Sequence, residues 1–237
     1  MFAKLVAETR NEIIHKHVVS NLREPMKKEI FEKAFEEKLN KNFSKFSKYF
    51  DFKLKAFNEL NTQLFEVNKC LLLEFNRAGI TLTNNLLERL LKLALIYDEV
   101  GVGPKPIESW NEIFTEPNRK YNQIKLGNSI ELCKKKELIT EKEKVVLFEH
   151  IRVLMRNGFS HADSTEILSG LPDDSVMYQA TFSNPSDVQE VKINQKVIPF
   201  MQSLQMENFA NENAVDYFDY VFKLIFRVEE RLLKKQE

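Results

Sequence analysis

The chain has 237 residues, of which 43% are hydrophobic and 30% charged, and its formal net charge is zero. This composition is typical of a soluble globular protein, and the balanced charge argues against the strongly basic footprint of many nucleic-acid-binding proteins. Only 6 glycines and 7 prolines interrupt the chain, which favours a mostly helical, all-α fold.

The first third of the chain has a long stripe of apolar residues at helical spacing. From Phe31 to Phe75 the apolar positions recur every three or four residues, with no Gly or Pro inside this stretch. One helix covering the whole Gly- and Pro-free region would extend on the order of 75 Å, so we expect a break near the segment NKNFSKFSKYFDF. We interpret residues 1–78 as an N-terminal helical extension, with the phenylalanine stripe in a core or a subunit interface. Residues 79–237 form the predicted main helical domain.

Glycines and small polar residues predict the boundaries of the next elements. We expect Gly79 to end the preceding helix, Thr83 or Asn84 to cap the following one, and Gly101 to terminate it. The segment VGVGPKPIESW is expected to be a loop, because two glycines and two prolines occur within it. Ser109 is then placed to cap a short helix, and a further helix is predicted over about residues 121–137.

The segment TEKEKVVLFEHIRVLMRNG is the clearest helix of the sequence. Thr140 and Glu143 have capping-box spacing. Gly158 is placed to end the helix. An apolar stripe on one face completes the amphipathic pattern and consists of Val146, Leu147, Ile151 and Leu154.

A polar and acidic insertion is expected at about residues 165–212. Residues 165–220 contain 9 acidic side chains and 2 basic ones. The segments VMYQATF and VQEVKINQKVIPF predict a small β-hairpin within this insertion. A last helix is predicted from Ala214 to about Lys234.

Histidine and cysteine positions do not predict a metal site or a cofactor site. His15 and His17 are two residues apart and would point to different faces of a helix. His150 and His161 are accompanied by no cluster of Cys or acidic residues that would complete a tetrahedral site. The two cysteines are far apart in the sequence and lack the spacing of zinc or disulfide motifs.

Arg156 and His161 are the residues best suited to chemistry. Arginine is always charged and binds phosphate through a planar set of donors, whereas histidine transfers protons near neutral pH. Together they suffice to cleave a phosphodiester without a metal. On an unbroken α-helix the two would lie about 140° apart, so they share a face only if Gly158 bends the helix, or if the helix is locally overwound or resumes after a kink. Asn157 is placed to orient the imidazole if the helix persists.

The segment LFEHIRVLMRNGFSHAD resembles the signature of the HEPN superfamily. That signature is an Arg, a polar residue that is commonly Asn, three variable residues and a His, at the end of a core helix. Arg156, Asn157 and His161 match it position for position. The similarity extends over roughly residues 80–235, interrupted by the acidic insertion, and the first 75 residues have no counterpart in it.

This resemblance implies an antiparallel helical bundle and a metal-independent endoribonuclease that cleaves RNA by attack of the 2′-hydroxyl. His161 would be the general acid/base, Arg156 would bind the phosphate, and Asn157 would position the motif. The resemblance also implies an RNA substrate and a homodimer with a composite active site. It further favours a prokaryotic toxin or antiphage effector of the abortive-infection type, with an antitoxin or regulatory partner as a candidate.

One departure and two alternatives accompany this interpretation. Asp163 stands where HEPN toxins paired with a nucleotidyltransferase antitoxin carry a tyrosine, so control by modification of such a tyrosine is not expected. An acidic group there would either favour the protonated form of His161 or repel RNA. The first alternative is a non-catalytic HEPN-like module for nucleotide binding, RNA binding or dimerisation. The second is a helical scaffold in which the motif is an ordinary helix end.

The N-terminal sequence predicts a cytoplasmic protein with no membrane partner. Charged residues appear too early in MFAKLVAETRNEIIHKH for a signal peptide. No apolar stretch approaches the roughly 20 residues that a membrane-spanning helix needs.

Overall fold

The computed structural model describes residues 24–160 and 164–236. These residues are mostly helical and include one two-stranded antiparallel hairpin. The predicted all-α class with a small hairpin insertion is confirmed. The chain divides into two compact units, Met1–Lys45 and Phe46–Glu237. The division expected from the sequence was at residue 78.

Helix α1, Glu24–Phe46, carries the first part of the phenylalanine stripe. It ends where the sequence predicts a break and is followed by a 3-10 turn, Ser47–Tyr49. The large apolar side chains of α1 before Phe46 are exposed, whereas Phe46 itself is buried. The exposed set is Ile30, Phe31, Phe35, Leu39 and Phe43.

The core of the second unit is built around three helices. They are α2, Asn61–Leu72, α3, Asn76–Val100, and α8, Pro199–Lys234. The segment that precedes α2 is attached to α8 by the buried carboxylate of Glu229, whose Oε1 accepts the backbone N–H of Ala56 at 2.6 Å. Residues 46–78 therefore contribute to the same core as the C-terminal helix.

The helices around α3 run in both directions. Asn76 and Asn84 contact Asn211 and Tyr217 in the same order along α8, so α3 and α8 are parallel. Gly79 packs on Leu71 of α2, while Tyr97 near the other end of α3 is hydrogen-bonded to Glu59, which precedes α2. Helix α2 is therefore antiparallel to α3. The expectation of an antiparallel bundle is met by α2 and is wrong for α8.

Three positions near the start of α3 correct the predicted boundaries. Gly79, Thr83 and Asn84 are all buried inside α3, so none of them ends or caps a helix. Gly79 is required for close packing, because a Cβ there would lie 2.4 Å from Leu71 Cδ2. Gly101 ends α3 as predicted, with a positive φ of 81°.

Three shorter helices follow α3, and the last of them begins with a capping box. A 3-10 turn, Ile107–Ser109, leads into α4, Trp110–Tyr121, and α5 spans Leu126–Lys135. Ser109 is at the predicted cap position, but its Oγ donates to the carbonyl of Pro106 and not into α4. Helix α6, Glu141–Val145, begins with the predicted capping box of Thr140 and Glu143.

A π-helix, Val146–Ser160, continues directly from α6. Its backbone hydrogen bonds join residues five apart, where an α-helix joins residues four apart. Gly158 is buried inside this helix. The prediction that Gly158 ends the helix was therefore wrong, because the wider winding carries the backbone through it to Ser160.

The acidic insertion contains the short helix α7, Thr165–Ser169, and the predicted hairpin. Strand β1, Ser175–Thr181, pairs antiparallel with β2, Asn184–Ile193. Nearly all hairpin side chains are exposed on both faces. The hairpin therefore adds little to the core.

Helix α8 begins earlier than the predicted start at Ala214. Pro199 occupies its first turn, where the missing N–H of proline is tolerated. Met206, Ala210 and Ala214 are buried at four-residue spacing, so the apolar face extends back through a polar-looking stretch. Within residues 24–160 and 164–236, no helix combines the length and apolar character needed to cross a bilayer.

Candidate functional site

Arg156 lies on the π-helix and faces α3. Its Nε donates a hydrogen bond of 3.1 Å to Glu88 Oε1. The two side chains keep 28% and 27% of their surface exposed to solvent. A guanidinium has five N–H donors, and this bond uses one of them. Arg156 is thus oriented by Glu88 without being buried by it.

Asn84 of α3 fixes the end of the π-helix. Its Nδ2 donates to the carbonyl of Met155 and to Ser160 Oγ, both at 3.0 Å. Its Oδ1 accepts a hydrogen bond of 2.8 Å from the hydroxyl of Tyr217 on α8. Burial, together with the nearby charge of Glu88, holds the pKa of Tyr217 well above its ordinary value, so the phenol stays protonated and donates.

The same contacts follow the winding of the π-helix. Asn84 binds the backbone carbonyl of Met155 and the side chain of Ser160, five residues further on, which are neighbours where carbonyls pair with the residue five positions ahead. On an α-helix they would be separated by about 140°. The local overwinding that the sequence offered as one alternative was wrong for residues 146–160, because a π-helix is wound more loosely than an α-helix, and His161 lies outside the described residues.

A surface cavity of about 310 Å³ opens beside Arg156. It lies between the first turn of α5 and the π-helix. Gly127 lies beside the ring of Phe148, since a Cβ at its position would be 3.5 Å from that ring, an ordinary van der Waals distance. The cavity is lined by Lys125, Leu126, Gly127, Asn128, Glu131, Phe148, Arg152, Arg156 and Asn157.

The charge of this cavity favours an anion. Lys125, Arg152 and Arg156 line it against the one lining carboxylate, Glu131, which is itself paired with Lys144 at 2.9 Å. The first turn of α5 adds backbone N–H groups and the positive end of a helix dipole, which together bind phosphates in many proteins.

Arg152 is held in place by its own helix. Its guanidinium carbon lies 4.1 Å from the centroid of the Phe148 ring, and its Nε donates to the Phe148 carbonyl at 3.3 Å. Stacking on an aromatic ring orients the planar group and leaves its edge for a ligand. Arg152 and Arg156, four residues apart, therefore reach the same cavity.

The predicted site residues divide into those that the structure places and those outside the described residues. Arg156 and Asn157 lie together at the cavity. His161 and Asp163 lie outside the described residues, as do His15 and His17. His150 is exposed on the π-helix and does not line the cavity.

Sequence reasoning missed Glu88, Arg152 and Lys125. Asn84 and Glu88 are four residues apart on α3 and so share one face of it, but α3 has many other polar residues and the sequence alone does not distinguish these two. Arg152 stands one helical turn before Arg156, a spacing that places both on one face. Lys125 offers no local signal, because only the tertiary packing of α5 brings it to the motif.

The described residues contain no group of three or more His, Cys, Asp or Glu side chains arranged to hold a metal ion. In comparisons with known proteins, no family model, no curated protein and no solved structure matches the chain. Functional assignment therefore depends on the chemistry of the cavity and on its motif.

Proposed function

We propose that this chain is a metal-independent endoribonuclease of the HEPN type. The observation that carries the proposal is the cationic cavity formed by Arg152, Arg156, Lys125 and the first turn of α5 beside the Arg–Asn–x3–His motif. Every RNA phosphate carries a negative charge, and arginine pairs with helix N-termini are well suited to bind it.

The reaction proposed for the motif needs no metal ion. The 2′-hydroxyl oxygen attacks the adjacent phosphorus and loses its proton, while the bond from phosphorus to the 5′-oxygen breaks and that oxygen gains a proton. His161 is the general acid/base for these transfers, and Arg156 offsets the charge that grows on the phosphoryl oxygens. Asn157 is the positioning residue.

The winding of the π-helix supports this pairing of groups. Backbone hydrogen bonds in this helix join residues five apart, and His161 follows Arg156 by five positions in the sequence. π-Helical segments are rare and often occur at functional sites. The winding at Arg156 is therefore compatible with the proposed action of Arg156 and His161 on one phosphate.

The ion pair of Arg156 with Glu88 favours the alternative, a non-catalytic HEPN-like module that binds nucleotide or RNA. A carboxylate at 3.1 Å offsets part of the positive charge that a transition state would use. Under the enzyme proposal Glu88 orients the guanidinium and leaves its other donors for phosphate. The two functions differ in one observable, which is whether RNA is cut or only bound.

Incubation of the purified chain with end-labelled single-stranded RNA in EDTA tests the proposal. We expect fragments ending in 2′,3′-cyclic phosphate, and their loss in His161→Ala with the fold retained by circular dichroism. Lys142→Gln is the matched control, because Lys142 is exposed on α6 and lies outside the cavity lining. Binding without cleavage by the wild type would support the module, and neither binding nor cleavage would overturn both.

A homodimer with a composite site has its own test. Chains carrying Arg156→Ala and His161→Ala are inactive separately in this proposal. Cleavage that appears when the two are mixed and allowed to exchange subunits requires groups from two chains in one site. A monomer by sedimentation, with full activity, would contradict the composite site while leaving the nuclease intact.

The proposed biological role is a cytoplasmic toxin or antiphage effector with an antitoxin or regulatory partner. Resemblance of the motif to the HEPN signature is its support. Expression of the wild type in a bacterial host should arrest growth, and expression of His161→Ala at the same level should not. Equal growth of both strains would remove the toxin role.

A further inference from the structure

A second cavity, of about 580 Å³, lies between α3, α4 and the loop that joins them. Its wall is largely aromatic and apolar, with Tyr97, Trp110 and Phe114 beside Leu93 and Ile96. Small-molecule sites are concave, mostly apolar and roughly 300–1,000 Å³ in volume, with a few polar groups that orient the ligand. The size and lining of this cavity match that description.

The polar groups of the second cavity give it a net positive charge. Arg89 and Lys105 line it against one carboxylate, Glu59. Glu59 accepts a hydrogen bond from the hydroxyl of Tyr97, and burial together with this bond raises the pKa of Tyr97. The phenol is therefore a neutral donor, and its bond occupies one of the carboxylate oxygens. Arg89 is oriented by a 3.3 Å bond from Nη1 to Asn122 Oδ1.

The rim of the second cavity is held by hydrogen bonds. Trp110 is half-exposed, and its Nε1 donates to the carbonyl of Lys105 at 3.1 Å. Gly103 has a φ of 113°, a conformation that favours glycine, and so lets the loop turn there. Gln236 at the end of α8 ties the loop to α3 by accepting from the N–H of Val102 and donating to the carbonyl of Tyr97. These contacts fix the loop and the Trp110 side chain at the rim of the cavity.

We infer that this second cavity binds a planar aromatic anion. The ring packs against Trp110 and Phe114, and the anionic group pairs with Arg89 and Lys105. A nucleoside monophosphate and an aromatic carboxylate share this chemistry. The site is separate from the proposed nuclease centre, because α3 presents Glu88 to the π-helix and Arg89 to this cavity.

Trp110 is the one tryptophan of the sequence, so intrinsic fluorescence reports on this cavity directly. The probes are AMP and benzoate, with adenosine as the ring lacking an anion and ribose 5-phosphate as the anion lacking a ring. We expect saturable fluorescence changes with AMP, benzoate or both. Dissociation constants for adenosine and ribose 5-phosphate should be at least about tenfold higher, the loss expected for a charge-assisted hydrogen bond. Saturation by AMP alone assigns a nucleotide, and saturation by benzoate alone assigns an aromatic carboxylate.

Substitutions in the cavity distinguish binding at this site from non-specific quenching of Trp110 fluorescence. Arg89→Gln and Lys105→Gln should each weaken binding of the active probe about tenfold, while Lys142→Gln leaves it unchanged. Thermal melts identify any variant that fails to fold. Arg89 and Lys105 lie on different elements, so if one variant does not fold, the other still tests the site. The inference is overturned if neither AMP nor benzoate binds at millimolar concentration. Where AMP binds, the inference is also overturned if adenosine binds as tightly, and with either probe if folded Arg89→Gln and Lys105→Gln bind it like the wild type. Nuclease activity plays no part in these outcomes.

Discussion

The segment formed by α6 and the π-helix carries a glutamate–arginine contact near each end, and the two contacts differ in burial. At the start, Glu143 is only 10% exposed and accepts hydrogen bonds from Arg227, from both terminal nitrogens of Arg231 and from the backbone of Thr140. At the other end, Arg156 meets Glu88 through Nε at 3.1 Å, with more than a quarter of each side chain exposed.

The difference shows how the same residue types serve two purposes. A buried carboxylate with several charge-assisted hydrogen bonds holds helices together, because removing one partner leaves buried charge uncompensated. A part-exposed pair is weak and is easily rearranged by a ligand. Glu143 is accordingly structural, and Arg156 remains available to bind an anion.

Replacement of Glu143 gives the largest expected effect on stability. Glu143→Gln removes the charge that compensates Arg227 and Arg231, and should lower the free energy of unfolding by about 2 kcal/mol, less than for a fully buried pair because these arginine side chains are 37% and 27% exposed. Urea unfolding followed by circular dichroism measures this loss. A loss below about 1 kcal/mol, the value of an exposed pair, would mean that Glu143 contributes no more to stability than Glu88.

Arg152→Gln tests whether the cavity at the Arg156 end binds substrate. If Arg152 binds an RNA phosphate as proposed, its loss should raise KM for RNA about tenfold and leave kcat within about twofold. Steady-state cleavage of a short labelled RNA separates the two constants. A fall in kcat with unchanged KM would instead place Arg152 among the groups that act in the transition state.

Acid pH is expected to destabilise the protein through protonation of Glu143. Burial alone would raise the pKa of Glu143, but hydrogen bonds from Arg231, the Thr140 backbone and Arg227 outweigh it and hold this pKa below its ordinary value. The unfolded chain then binds a proton that the folded chain does not, so stability falls as pH drops below the ordinary glutamate pKa of about 4.3.

Urea unfolding of the wild type and of Glu143→Gln across this acidic range checks the origin of the effect. The stability of the variant should change less with pH than that of the wild type. Parallel curves for the two proteins would assign the acid sensitivity to other carboxylates.

Glu88→Gln is expected to have the smallest effect. Because the pair is part-exposed, the substitution should change the unfolding free energy by less than about 1 kcal/mol. Thermal melting of Glu88→Gln, compared with that of Glu143→Gln, tests this expectation. A loss as large as that of Glu143→Gln would mean that Glu88 is structural and that Arg156 is committed to it.

Local signals in the sequence predicted local features of this fold. The capping box of Thr140 and Glu143 and the end of α3 at Gly101 depend on residues within one or two turns, and both are confirmed. The start of α8 was mispredicted, because polar residues 199–213 resemble a loop until Met206 and Ala210 are seen to pack.

The candidate site depends more on tertiary contacts. The motif identified Arg156 and Asn157 from the sequence. The π winding of their helix was not predicted, and that helix contacts Asn84, which is distant in the sequence, through Met155 and Ser160. Side chains such as Glu88 join the site only through helix packing. Spacing along one helix therefore predicted the residues of the motif and could not predict their partners.

The cleavage rate of Arg156→Ala is the most direct test of the nuclease proposal. At saturating single-stranded RNA in EDTA, we predict that kcat falls by at least about 100-fold, the usual cost of losing one donor to a charged transition state. The free energy of unfolding should stay within about 1 kcal/mol of the wild type. Cleavage at the wild-type rate by a folded Arg156→Ala protein would contradict the account.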